Sequence, residues 1–171
     1  MLLYDRETAS LWSQLKNQAV SGPMRGSELM ALPLTHTTWS AWRREHPESR
    51  VLSTDTGYRR DYKRDPYGDY GKERGLYFPV SAESRRYHPK ERVLGVEIDG
   101  VFKTYPFAEL SRAGKGRIED RLNGESLVIE FDWANESARA FGGAGEQLPA
   151  VTGFWFAWYA FHPDTQIFRV P

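Results

Sequence analysis

A chain of 171 residues carries 23 basic and 23 acidic side chains and no cysteine, a length that buries one core and is short for two. The balanced charge leaves no long-range field to draw the chain onto nucleic acid or an anionic membrane, and the missing thiols exclude disulfides, thiolate nucleophiles and cysteine-ligated metal centres. A single domain over residues 1–171 is therefore expected. No membrane span is expected either, because the most apolar stretch, Leu148 to Phe161, falls short of the roughly 20 residues that a spanning helix needs and contains a proline and a glycine.

In chain order, Met1-Leu2-Leu3-Tyr4 meets Asp5-Arg6-Glu7 at once, without the basic leader and apolar run of a secretory signal. A cytoplasmic setting is the default expectation, and export stays open if the N-terminus is incomplete. Short apolar runs at Leu2–Tyr4, Ser10–Leu15 and Leu29–Leu34, separated by turn-rich pieces such as Ser21-Gly22-Pro23, predict brief strands. Thr38 is placed to cap a short helix carrying Trp39 and Trp42 three residues apart on one face, and His46-Pro47 ends it. Val51–Ser53 predicts one more strand. Asp55 to Gly75, broken by five glycines and prolines, predicts a long structured loop whose four tyrosines argue against disorder.

Signals sharpen from Arg92. Val93–Ile98 and Val101–Tyr105 flank Asp99-Gly100, and Arg117–Leu122 and Ser126–Phe131 flank Asn123-Gly124, two hairpins on tight turns. Between them Pro106 is expected in the first turn of a helix over Phe107–Arg112. A strand over Glu136–Phe141 closes at Gly142-Gly143. The nearly all-aromatic block Gly153–Phe161 predicts a helix starting at Thr152, with Phe154, Trp158 and Phe161 at helical spacing and His162-Pro163 as its stop. The fold class is α+β, an antiparallel, hairpin-rich sheet covered on one face by two or three short helices.

Two constellations could carry chemistry. Arg59, Asp61, Tyr62 and Tyr67 join a guanidinium fork to phenols that stack and hydrogen-bond, which suits an anion or a sugar; the alternative is that the same groups merely tie the loop down. The four histidines show no paired ligand spacing, and three precede proline, so a metal site is limited to His36 with Asp55 and Asp61 brought together in space. No Gly-x-Ser-x-Gly elbow marks a nucleophile, and the glycine-rich Gly142–Gly145 lacks the Lys-Ser/Thr of a phosphate loop and reads as a turn. The sequence assigns no cofactor.

Tyr4-Asp5-Arg6-Glu7-Thr8, Leu11-Trp12, Gly22-Pro23, Thr38-Trp39, His46-Pro47, Val51-Leu52-Ser53 and Thr56 to Tyr62 together resemble, in order, the bacterial and archaeal domain-of-unknown-function family 3179. Asp65-Pro66-Tyr67, Tyr70, Phe78-Pro79-Val80, Lys90 to Val96 and Tyr105-Pro106 extend the resemblance over most of the chain. It implies no established activity. It does imply an upstream segment with a Tyr-Cys-Pro-Leu-type motif, related to the block Val93–Phe131, so that the full family unit would have two similar lobes and this chain would hold the second. The expectation that follows is a non-catalytic ligand-binding or interaction module. Alternatives are a metal-assisted or cofactor-independent enzyme acting on a small anionic or carbohydrate-like substrate, and an assembly protein whose open edge is covered by a second copy.

Overall fold

The computed structural model describes residues 2–170. It is α+β: ten strands in three mostly antiparallel sheets and three short α-helices. No helix among the described residues is long and apolar enough to cross a membrane.

The first sheet is a meander of β1 (Leu2–Asp5), β2 (Ser10–Ser13) and β3 (Gln18–Ser21). Gly22 leaves it with a φ of +86°, and a Cβ there would sit 2.7 Å from Ser10 Cα. Only glycine meets both demands. The strand expected at Leu29–Leu34 does not form: past the bridge Gln18↔Glu28 and the bond from Leu29 N to Asn17 O, this apolar run, broken by Pro33, has no further strand beside it to complete a ladder. The strand expected at Val51–Ser53 is also absent. Val51 and Leu52 are exposed, and a segment with neither partner nor buried face gains nothing from extended pairing.

Helix α1 (Trp39–Glu45) starts as expected, with Thr38 Oγ1 accepting from Ala41 N at 3.2 Å and His46 at its C-cap. The long loop follows, interrupted by a 3₁₀ turn at Gly68–Gly71. The loop's far end is fastened by Lys90, which is buried. Its ammonium donates to Gly75 O at 2.6 Å and lies 4.0 Å over the Tyr70 ring, itself stacked on Tyr77. Carbonyl dipoles and a ring face here take the place of a carboxylate.

The core lies between the other two sheets. β4 (Arg92–Ile98) and β5 (Val101–Pro106) turn on Asp99-Gly100, and β6 (Arg117–Leu122) and β7 (Glu125–Asp132) on Asn123-Gly124. All four turn residues have positive φ, the geometry whose twist matches that of the strands. β8 (Ser137–Gly142) adds to β7, β9 (Ala150–Phe154) to β4, and β10 (Gln166–Ile167) runs parallel to β5. Helix α2 (Phe107–Ala113) closes one end of the core with Phe107 and Leu110. Pro106 is not in its first turn; it still pairs with Val93 as the last residue of β5 and serves as the N-cap.

Helix α3 is Trp155–Phe161, starting three residues after Thr152. Thr152 cannot cap it because Thr152 pairs with Leu94 in the β4–β9 ladder, and the backbone turns only past Phe154, which pairs with Arg92, the first residue of β4. The helix therefore buries Trp155 and Trp158 while Phe161 is exposed. At its C-cap His162 stacks on Phe102 at 4.0 Å and against Trp158 at 4.3 Å. Partial burial among these rings disfavours the imidazolium and lowers the pKa of His162. A histidine with a lowered folded pKa contributes stability that is fully present above the unfolded value near 6.5 and is lost as pH falls toward the folded one. The unfolding midpoint is expected to drop as pH falls below about 6.5, and less steeply in His162→Phe. Equal slopes in the two proteins would remove His162 from the account.

Candidate functional site

The tract singled out by its arginines and tyrosines lies on the surface. Asp61 Oδ1 accepts from Lys63 N at 3.0 Å, Tyr62 shares a 2.6 Å hydrogen bond with Thr56, and Asp65 accepts from Tyr67 N. Tyr62, Tyr67 and Arg59 are exposed. Among the described residues no hydrogen bond or ion pair joins the side chains of Arg59, Asp61, Tyr62 and Tyr67 to one another. His36 faces Arg92, Nδ1 to Nη2 at 3.3 Å; burial first, then this cation, lowers its pKa. No group of three or more His, Asp or Glu that could hold a metal occurs among the described residues.

Two other features emerge from the packing. One is a repeated hairpin. β1 and β2 are joined between Asp5 and Ser10, and β7 and β8 between Asp132 and Ser137, with those residues cross-strand partners in each case. The residue before each serine has positive φ, 54° at Ala9 and 45° at Glu136. Each aspartate accepts a backbone N–H inside its own turn, from Glu7 at 2.9 Å and from Asn135 at 3.2 Å. Both carboxyls are held below their ordinary pKa, mainly by hydrogen bonds from the side chains of Thr8 and Asn135. Leu2 and Tyr4 thereby stand where β7 has Ile129 and Phe131.

Their environments differ. Ile129 and Phe131 are 0% and 6% exposed, with Phe131 edge-on to Phe107 of α2 at 5.1 Å, and β7 is paired on both sides. Leu2 and Tyr4 are 51% and 61% exposed, and β1 is an edge strand. The same hairpin is thus covered in one copy and bare in the other. The signal was present in the sequence as Tyr4-Asp5 and Phe131-Asp132, each aspartate five residues before a serine, but a pattern so short acquires meaning only when the two turns coincide.

The second feature is a cleft of about 850 Å³ between α1 and β8, with walls that include Thr35, Trp39, Trp42, Glu45, Arg139 and Gln147. Helix α1 buries only Ala41 and leaves Trp39 48% exposed. Trp42 is fixed by donating from Nε1 to Ser49 Oγ at 2.9 Å and by a tilted contact with the His46 ring at 3.9 Å. Across the cleft Arg139 reaches Glu45 at 3.4 Å and Glu130 at 3.8 Å, while Gln147 Nε2 donates to Thr35 Oγ1 at 3.3 Å. The two indoles were legible in the sequence as one helix face; the opposite wall was not, because β8 and the turn after it are distant in the chain.

No curated protein and no solved structure matches the chain. The model of the family described as protein of unknown function (DUF3179) matches residues 1–147, which takes in the meander, α1, the long loop and the core sheets through β8. The chain belongs to this family.

Proposed function

We propose that the chain is a non-catalytic interaction module whose N-terminal meander receives a second lobe of polypeptide, one organised like the β4–β5–α2–β6 unit that covers β7 in its own core. The observation that carries this reading is the bare copy of the repeated hairpin: Leu2 and Tyr4 occupy the positions of Ile129 and Phe131 with no layer over them. An apolar, unpaired edge strand is a template for another strand, and proteins that do not use such an edge blunt it with charge or proline. β1 has neither device between Leu2 and Tyr4.

A polypeptide spanning residues 92–122, the surrogate for such a lobe, is the direct probe. Added to the isotopically labelled full chain, it is expected to shift the amide resonances of β1 and β2 saturably and to raise the unfolding midpoint. The response should vanish in Tyr4→Asp. Shifts confined to β6–β8, or an equal response from Tyr4→Asp, would defeat the proposal.

A further inference from the structure

We infer that the cleft between α1 and β8 is a binding site for a neutral carbohydrate. The inference is independent of the lobe-docking reading, because the cleft lies on the α1 side of β8 and none of the walls named for it belongs to β1.

A seven-residue helix is too short to hold itself together and relies on packing, yet α1 directs only Ala41 into the core. Its attachment to the sheet is polar: Thr38 Oγ1 meets Asn135 Oδ1, and Glu45 meets Arg139. Its two largest apolar side chains, Trp39 and Trp42, line open space instead. A half-exposed indole on the same cleft wall as a second indole that is held by a hydrogen bond and a tilted imidazole contact is an apolar platform with one ring fixed in place. Such a platform loses little conformational freedom when a flat partner settles on it.

Charge then selects the partner. Arg139, the guanidinium facing the platform, is already engaged: it meets Glu45 of the cleft wall and, outside that wall, Glu130, which also pairs with Arg117 at 3.3 Å. An anion entering the cleft would have to compete with the Glu45 carboxylate for Arg139 and would meet that like charge beside it, so phosphates and carboxylates are disfavoured. What remains on offer is a mixed set of donors and acceptors: the guanidinium, the Glu45 carboxylate, the Gln147 amide and the Thr35 hydroxyl. Their mutual contacts, 3.3 and 3.4 Å, are long enough to be exchanged for a ligand's. A sugar ring presents C–H groups on its faces and hydroxyls around its rim. It therefore matches indole faces beneath and alternating donors and acceptors at the side. The volume, about 850 Å³, is that of a small-molecule cleft and holds one or two sugar rings.

The test uses the full chain and the indole N–H resonances of its tryptophans, with Trp39 assigned by its loss in Trp39→Ala. Glucose, galactose, mannose, N-acetylglucosamine and their common disaccharides are titrated to their solubility limits, beside glucuronate and inorganic phosphate as anionic counterparts. At least one neutral sugar is expected to shift the Trp39 and Trp42 resonances saturably. Binding should weaken by about tenfold or more in Trp39→Ala and recover partly in Trp39→Phe. Because Trp39 is half exposed, both variants should unfold at the wild-type midpoint. The proposal is overturned if no neutral sugar moves either resonance, if Trp39→Ala binds as the wild type does, or if glucuronate or phosphate binds as tightly as the best neutral sugar.

Discussion

Replacing Trp155 by alanine should lower the unfolding free energy by about 3–5 kcal/mol, among the largest effects of any single substitution in this chain. Trp155 is fully buried at the start of α3, packed with Val93, with the Tyr87 ring edge-on at 5.5 Å and Tyr159 at 5.0 Å. Its backbone N–H donates to Glu91 O at 2.8 Å and joins the helix to the start of β4. Removing the indole leaves a cavity that this junction cannot close. In a domain of this size the loss corresponds to a fall of roughly 6–20 °C in unfolding midpoint. Trp155→Phe separates packing from polarity. The indole Nε1 is buried without a hydrogen-bond partner among the described residues, and an unpaired buried donor costs about 1–3 kcal/mol. Phenylalanine gives up some contact area and removes that cost, so it should come within about 1 kcal/mol of wild type. Denaturant titration followed by near-ultraviolet circular dichroism measures both variants. Equal damage from phenylalanine and alanine would mean that the N–H is satisfied after all.

How legible such features are depends on whether they are decided locally. Asp99-Gly100 and Asn123-Gly124 fix their hairpins within a few residues, since all four must adopt positive φ, and Thr38 caps α1 through a bond three residues long. Leu29–Leu34 and Val51–Ser53 have strand composition but no neighbour to pair with, and composition alone does not say whether a partner exists. In Gly153–Phe161 almost every residue is apolar, so the boundary between β9 and α3 is set by where β4 begins, at Arg92 opposite Phe154. In the tyrosine loop the sequence shows composition, and the structure adds that Asp61 and Asp65 accept hydrogen bonds inside its turns. The cleft depends on Arg139 and Gln147 meeting α1 across the fold, and the bare hairpin on what is absent above Leu2 and Tyr4. Neither is a property of a local window.

Gly95 of β4 offers the sharpest test of how α3 is seated. A Cβ at this position would lie 2.1 to 2.4 Å from three ring carbons of Trp158, well inside van der Waals contact. Trp158 cannot swing aside cheaply: it is buried, its Nε1 donates to Thr165 Oγ1 at 3.1 Å, and Phe102 and His162 pack against its ring. Gly95→Ala is therefore expected to cost about 3 kcal/mol or more, at the upper end of overpacking effects, even though alanine suits a strand better than glycine by backbone entropy. Trp158→Phe shrinks the ring but abandons the bond to Thr165, so alone it should also destabilise. Combined, the two substitutions should be less harmful than the sum of their separate losses, by about 1–3 kcal/mol, because the smaller ring accommodates the new methyl. Additive losses in that double-mutant cycle would mean that β4 bends away from α3 and not that the indole blocks the Cβ. A favourable coupling would identify the missing methyl of Gly95 as the space into which Trp158, and with it the C-terminal helix, is locked.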